Sequence, residues 1–159
     1  MSIANRVRAL LDESGVEYEH VPHDPAFTAQ EVAEQVHRPG REVAKVVILT
    51  DGAVNVMAVI PATRKIDLGR IRHAAGSEGL RLAEESEFEA LFPNVETGAM
   101  APFGNLYGIP VFVDQTLRED EEITFNAGTH EDAIRMSYSD FERLVQPVAA
   151  EFSEPIAAR

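Results

Sequence analysis

Two apolar runs, Val43–Thr50 and 53–60, stand back to back with only Asp51-Gly52 between them. No other feature constrains the fold of this chain so tightly. Each run is long enough for one strand and too short for a buried helix pair, and β-branched residues dominate both. Asp-Gly tolerates the positive φ of a tight type I′ turn, so the pair is expected to be a hairpin. Neither run alternates with polar residues. Both strands are therefore expected in the middle of a sheet, covered on both faces.

The rest of the chain supplies elements of both kinds. Ile3, Val7, Leu10 and Leu11 recur at helical spacing, and Gly15 ends that helix. Residues 16–21 alternate as a half-buried strand does, and Pro22 and Pro25 impose a loop after it. Thr28-Ala29-Gln30-Glu31 reads as a capping box for a helix running to about His37, stopped by Pro39-Gly40. Asp67 is expected to cap a helix carrying Leu68, Ile71 and Ala75. Further capping boxes are read at Ser86-Glu87-Phe88-Glu89 and Ser139-Asp140-Phe141-Glu142. Short strands are expected at 80–82, 109–113 and 123–126, and residues 134–138 fit a strand better than a helix. The fold class is α+β, with one domain over residues 1–147 and a C-terminal tail, 148–159, that frays after Pro147.

With 159 residues and 45% hydrophobic content, such a domain can bury a core without staples. No cysteine is present, which excludes disulfides, thiolate metal sites and thiol nucleophiles. No apolar run reaches the roughly 18–20 residues of a membrane span, and the N-terminus lacks the layout of a secretion signal, so a soluble cytoplasmic protein without membrane contact is expected. The net charge is −13, which disfavours a long DNA duplex as partner. The charge is uneven: residues 38–81 carry eight basic groups against four acidic ones, +4 there and −17 elsewhere. That segment is either ordinary local variation on an acidic surface or a basic face that meets a small anionic partner.

Three features could carry chemistry. Lys45, one of two lysines, sits among Val43, Ala44, Val46 and Val47. An ammonium in such a strand either snorkels to water or grips a phosphate, carboxylate or developing oxyanion at a pocket mouth. The stretch from Glu96 to Gly108 combines three glycines and a proline with uncharged apolar residues. It either covers one end of the core or exposes N–H groups as an anion-binding concavity, with Gly98 and Pro102 bracketing its rigid part. Among the histidines, His20 and His23 lack a third clustered ligand, which argues for surface residues over a metal site. His130 leaves a strand end at Asn126-Ala127-Gly128-Thr129, where it could bond a substrate or cap the turn. Serine-hydrolase elbows, P-loops and Rossmann fingerprints do not occur in this sequence.

In this order and spacing, Ala44-Lys45-Val46-Val47, Gly98-Ala99-Met100-Ala101-Pro102 with Phe103-Gly104, and Asn126-Ala127-Gly128 before a terminal helix resemble the YbaK-like family. These are free-standing relatives of the editing domain of bacterial prolyl-tRNA synthetase. The resemblance covers roughly residues 3–146 and includes the helix start at Thr28. It implies a mixed, partly barrel-like sheet surrounded by helices, and a trans-editing hydrolase that deacylates mischarged aminoacyl-tRNA without a metal or other cofactor. By that resemblance the loop Gly98, Ala99, Met100, Ala101, Pro102 positions the ester carbonyl and Lys45 holds the tRNA end. Thr28, Phe103, Gly104, Asn126, Gly128 and His130 would line the substrate, and water would be activated by a ribose hydroxyl of the substrate. The implied partner is the acceptor end of tRNA, reached through the 38–81 segment or presented by an aminoacyl-tRNA synthetase. Val46 departs from the polar residue found there in some alanine-clearing relatives.

Two competing readings remain at this level. One is a non-catalytic module that uses the same pocket for a free amino acid, a nucleotide or a partner protein. The other is a metal-dependent hydrolase built on His20 and His23.

Overall fold

A computed structural model describes residues 5–156 of the chain. The order of elements is α1 (Asn5–Ser14), β1 (Tyr18–Pro22), α2 (Ala29–Val36), β2 (Val43–Thr50), β3 (Asn55–Pro61), β4 (Arg64–Ile66), α3 (Leu68–Ala75), β5 (Arg81–Leu82) and α4 (Glu85–Phe88), followed by β6 (Val111–Asp114), β7 (Glu122–Asn126), β8 (Asp132–Ser137), α5 (Tyr138–Val145), β9 (Val148–Ala150) and β10 (Ser153–Pro155). Ile3 of the first helical pattern lies outside the described residues; Val7 and Leu11 of the same stripe are buried.

The apolar runs do form neighbouring strands. An eight-stranded mixed sheet runs β1-β8-β7-β2-β3-β6-β9, with β5 also paired to β2. β2 and β3 are its centre, antiparallel, with Lys45 opposite Ile60 and Val47 opposite Ala58. β3 is buried almost throughout because both of its faces are covered. Met57 and Val59 pack into one cluster with Phe103, Phe125 and Phe141. Val56, Ala58 and Ile60 pack into the other, with Ile71, Phe112 and Phe152. The sheet path has two free ends, β1 and β9, so hydrogen bonding does not close it into a full barrel.

The turn between β2 and β3 differs from the expected type I′ pair. Thr50 is opposite Asn55, which leaves residues 51–54 as the loop. The Asp51 carboxylate accepts from the N–H groups of Ala53 and Val54, at 2.9 and 2.8 Å, and so removes both from the ladder. Only Gly52 takes a positive φ, of 97°, whereas a I′ turn needs two such residues.

Two capping boxes also move. Ser137, not Ser139, caps α5 by accepting from Asp140 N at 3.1 Å. At α4 the Glu87 carboxylate accepts from Glu84 N at 2.8 Å, so the helix begins before Ser86. The Thr28 box forms as read: Thr28 Oγ1 accepts from Glu31 N, and the Glu31 carboxylate accepts from Thr28 N. Asp67 caps α3 as expected.

The tail is not frayed over 148–155. β9 extends the main sheet beside β6, and β10 pairs with β4. Phe152 between them is fully buried. Its N–H donates to the Asp114 carboxylate at 2.9 Å and its carbonyl accepts from Asp67 N at 2.8 Å. The apolar side chain and the backbone bonds on either side of it hold down a segment whose flanks are polar.

Candidate active site

The parallel pairing of β2 with β7 is brief: Val43 opposite Thr124 and Ala44 opposite Phe125. Beyond it the strands part, and a cleft of about 370 Å³ opens at the fork. Ala44, Lys45 and Val46 from β2 and Asn126 from the end of β7 line it. The N-terminus of α2 adds Phe27, Thr28, Ala29 and Gln30; the glycine loop adds Gly98 and Met100; Ile156 comes from beyond β10.

Among these lining residues Lys45 alone carries a charge. Among the described residues its ammonium forms no ion pair, and burial pushes its pKa below the ordinary lysine value with no opposing charge to restore it. An unpaired, half-buried cation is a standing invitation to an anion. Thr28 has its hydroxyl acceptor engaged in capping α2, which leaves it the hydroxyl proton to donate.

The Gly98 loop is held by the turn after β7. Gly128 N donates to Ala99 O at 2.9 Å, and Glu96 N donates to Gly128 O at 2.8 Å. His130 completes the clasp. Its N–H donates to the Glu96 carboxylate at 2.7 Å, and its ring Nε2 lies 3.0 Å from Thr97 O. A carbonyl only accepts, so Nε2 carries the proton. The ring also packs at a tilt against Phe27, with centroids 4.7 Å apart. His130 thus braces the loop from behind and does not line the cleft.

The turn itself is anchored from outside. The buried Asp132 carboxylate takes a bond from Thr129 Oγ1 at 2.6 Å and contacts His20 Nε2 at 2.6 Å. His23 Nδ1 bonds Asp24 O. Among the described residues no three His, Cys, Asp or Glu side chains gather as a metal would require, so the His20/His23 metal reading finds no third ligand.

Gly98 has φ 89°, a conformation that side chains resist. The Ala99 N–H is engaged with Glu96 O at 2.9 Å, so it is not free for a substrate. Among the described residues the N–H groups of Gly98, Met100 and Ala101 have no partner, and of the three residues Gly98 and Met100 line the cleft. After Met100 the chain turns inward. Ala101 and Pro102 are buried, and Phe103 packs edge-on against Phe125 and Phe141 at 5.6 and 5.7 Å. A Cβ on Gly104 would stand 2.9 Å from Ile109 O. Phe103 and Gly104 therefore sit in the core, away from the cleft, and Gly128 contributes through its backbone. The loop covers the core with one half and lines the cleft with the other.

Sequence reading alone had not singled out Phe27, Ala29, Gln30, Ala44, Val46 or Ile156 as lining. Phe27 directly precedes the cap Thr28, which could have placed it at the rim; nothing local marks Ile156. The arginines of the basic segment are largely matched, by carboxylates inside the segment and beyond it. Arg38 pairs with Glu42, Arg41 with Asp120, Arg70 with Asp67 and Arg81 with Glu87. Arg64 bonds Ser153, and Arg72 bonds Leu80 O.

A fork in a mixed sheet, holding a lone cation beside a glycine loop with free amides, is the frame of a small-anion or ester site. Residues 23–144 match the family model of the aminoacyl-tRNA editing domain, and the chain belongs to that family. The chain is 26% identical to the prolyl-tRNA editing protein ProX of Acetoanaerobium sticklandii, over 92% of each chain. It is 28% identical to the multifunctional Ser/Thr-tRNA deacylase ProXp-y of Escherichia coli K12, over 92% of this chain and 90% of that one. The fold is shared with the solved structure of hypothetical protein APE2540, at a TM-score of 0.85 and 22% identity over 94% of this chain and 100% of that one.

Proposed function

We propose that this protein is a trans-editing deacylase that hydrolyses the ester between a mismatched amino acid and the terminal adenosine of a tRNA. The observation that carries this is the pairing of an unmatched Lys45 ammonium with Gly98 and Met100, whose amides have no partner among the described residues, around one cleft. A volume of about 370 Å³ suits a small ligand such as an aminoacyl end group. Lys45 holds a phosphate of the tRNA end. The loop amides stabilise the oxyanion that develops on the ester carbonyl, at about 3–4 kcal/mol for one such donor. Thr28 and Asn126 offer further polar contacts to the substrate, and Ala44 and Met100 form the apolar floor.

The lining residues include no carboxylate or histidine to act as a base, and their one hydroxyl, of Thr28, is held in the α2 cap. Water therefore supplies the nucleophile: its oxygen bonds the carbonyl carbon, the ester C–O bond breaks, and a proton passes to the departing ribose oxygen. A neighbouring ribose hydroxyl of the substrate orients the water. His130, Glu96 and Gly128 keep the loop in place.

With most arginines of the 38–81 segment already paired, contact is confined to the acceptor end, and a synthetase that presents the charged tRNA would supply the rest. A cytoplasmic setting follows from this reading.

The test is a deacylation panel of mischarged tRNAs, run with and without chelator and with and without the cognate synthetase of each pair. Turnover of at least one pair, undiminished by chelator, is expected. Binding of aminoacyl-tRNA without turnover on any pair would make the protein a binding module instead; loss of turnover in chelator would revive a metal-dependent reaction.

A further inference from the structure

Five large hydrophobic side chains are exposed among the described residues, and two of them, Phe27 and Ile156, lie on the same cleft. Ile156 belongs to a segment that the matched family residues do not include. That segment is pinned repeatedly on its way to the cleft. Phe152 is buried, Arg64 bonds both Oγ and O of Ser153 at 2.6 and 3.0 Å, and Ile156 N donates to Thr63 O at 3.3 Å. Beside Thr63, Ala62 O accepts from Gln30, another lining residue, at 3.4 Å. The strap thus delivers one aliphatic side chain to a wall of the site.

Depth decides what that side chain meets. Ala44 is 4% and Met100 6% exposed, whereas Ile156 is 42% exposed. A substrate whose ester reaches the amides beside Met100 puts its acyl group against the floor and its nucleoside at the mouth, because the tRNA body stays outside. We infer that Ile156 is an apolar contact for the terminal nucleoside, so that the C-terminal strap is part of the RNA-binding site. This rests on the proposed deacylase reading for the direction in which the substrate enters. Apolar contact with a base face is indifferent to the amino acid that the nucleoside carries.

The experiment compares wild type, Ile156→Ala and Ile156→Val. One arm measures binding of the uncharged trinucleotide CpCpA, and another the kinetics on two mischarged tRNAs with acyl groups of different size. Ile156→Ala should weaken CpCpA binding about five- to twentyfold and raise KM by a similar factor for both substrates, with kcat within about twofold. Ile156→Val should recover most of the loss, and thermal melting of the three should agree. Unchanged CpCpA binding in Ile156→Ala, or no CpCpA binding by the wild type, overturns the inference. So does a change in the ratio of kcat/KM between the two acyl groups, which would put Ile156 against the amino acid. The two proposals fail separately. Ile156-dependent CpCpA binding with no turnover of any mischarged tRNA would sink the deacylase reading alone.

Discussion

Replacing Lys45 by Met keeps the unbranched stem of the side chain and removes its charged end. Two effects of opposite sign should follow. A phosphate about 4 Å from the ammonium is attracted by roughly 4 kcal/mol at an effective dielectric near 20, and much of that is offset by desolvation of the phosphate. Hydrogen bonds to charged groups contribute about 1.5–3 kcal/mol net. The variant should therefore lose roughly 10- to 150-fold in kcat/KM for deacylation, at about 1.4 kcal/mol per factor of ten. Folding should move the other way. Burial lowers the Lys45 pKa from its ordinary 10.5, so the folded state disfavours the charged form. Between the lowered folded value and 10.5 the unfolded chain binds more protons, and stability rises with pH through that window; below it the penalty is constant. Lys45→Met removes the penalty, so it should unfold at higher urea at pH 7 and show no alkaline rise from this site. Single-turnover deacylation and urea titrations at pH 7 to 10.5 read both effects. A variant that clears mischarged tRNA at the wild-type rate refutes the site assignment. One that is less stable than wild type refutes the idea that Lys45 is buried without a partner in the folded protein.

Two further outcomes are expected. Gly98→Ala places a Cβ 3.6 Å from His130 Cε1, an ordinary contact, but the φ of 89° is strained for alanine by about 1–2 kcal/mol. The loop should relax, and kcat should fall by about two orders of magnitude with KM little changed, as for loss of an oxyanion donor; equal kcat in steady-state assays would separate the amides from the chemistry. Burial, then Glu42, raises the Asp120 carboxyl to about 6 from 3.8, despite Arg41 nearby. The native state then binds more protons between these values, so stability should fall as pH rises from about 4 to 6; Asp120→Asn should flatten that slope in urea titrations, and an unchanged slope would place its origin elsewhere.

What could be read from sequence was mostly what is local. The Val43–Thr50 and Asn55–Pro61 strands declared themselves because burial on both faces leaves few polar positions, with Lys45 the exception. Thr28 and Glu31 cap α2 across three residues, so the pattern and the contact coincide. The same pattern misled at Ser139, because Ser137 precedes it and has its own acidic residue, Asp140, three positions on. Lys45 and Gly98 stood out by being the wrong residue types for their surroundings, and the structure brings them to one cleft. Phe103 and Gly104 were grouped with that loop because they follow it in the chain; the backbone turns into the core between Met100 and Phe103, which spacing does not reveal. Ile156 and the two strands before it were illegible for a different reason. Three-residue strands with polar flanks carry almost no periodic signal, and their partners, β4 and β6, lie far back along the chain.

The strap also separates two notions of what this protein's unit is. The match to the family model closes at residue 144, yet the hydrogen-bonded body continues to Pro155. Ending the chain at residue 144 would strip the outer neighbour from β6, vacate the hollow that Phe152 fills and leave Asp114 Oδ1 without its backbone donor. Family signature and self-sufficient fold therefore draw their borders at different residues here, and what lies outside the signature is not thereby ornamental to folding.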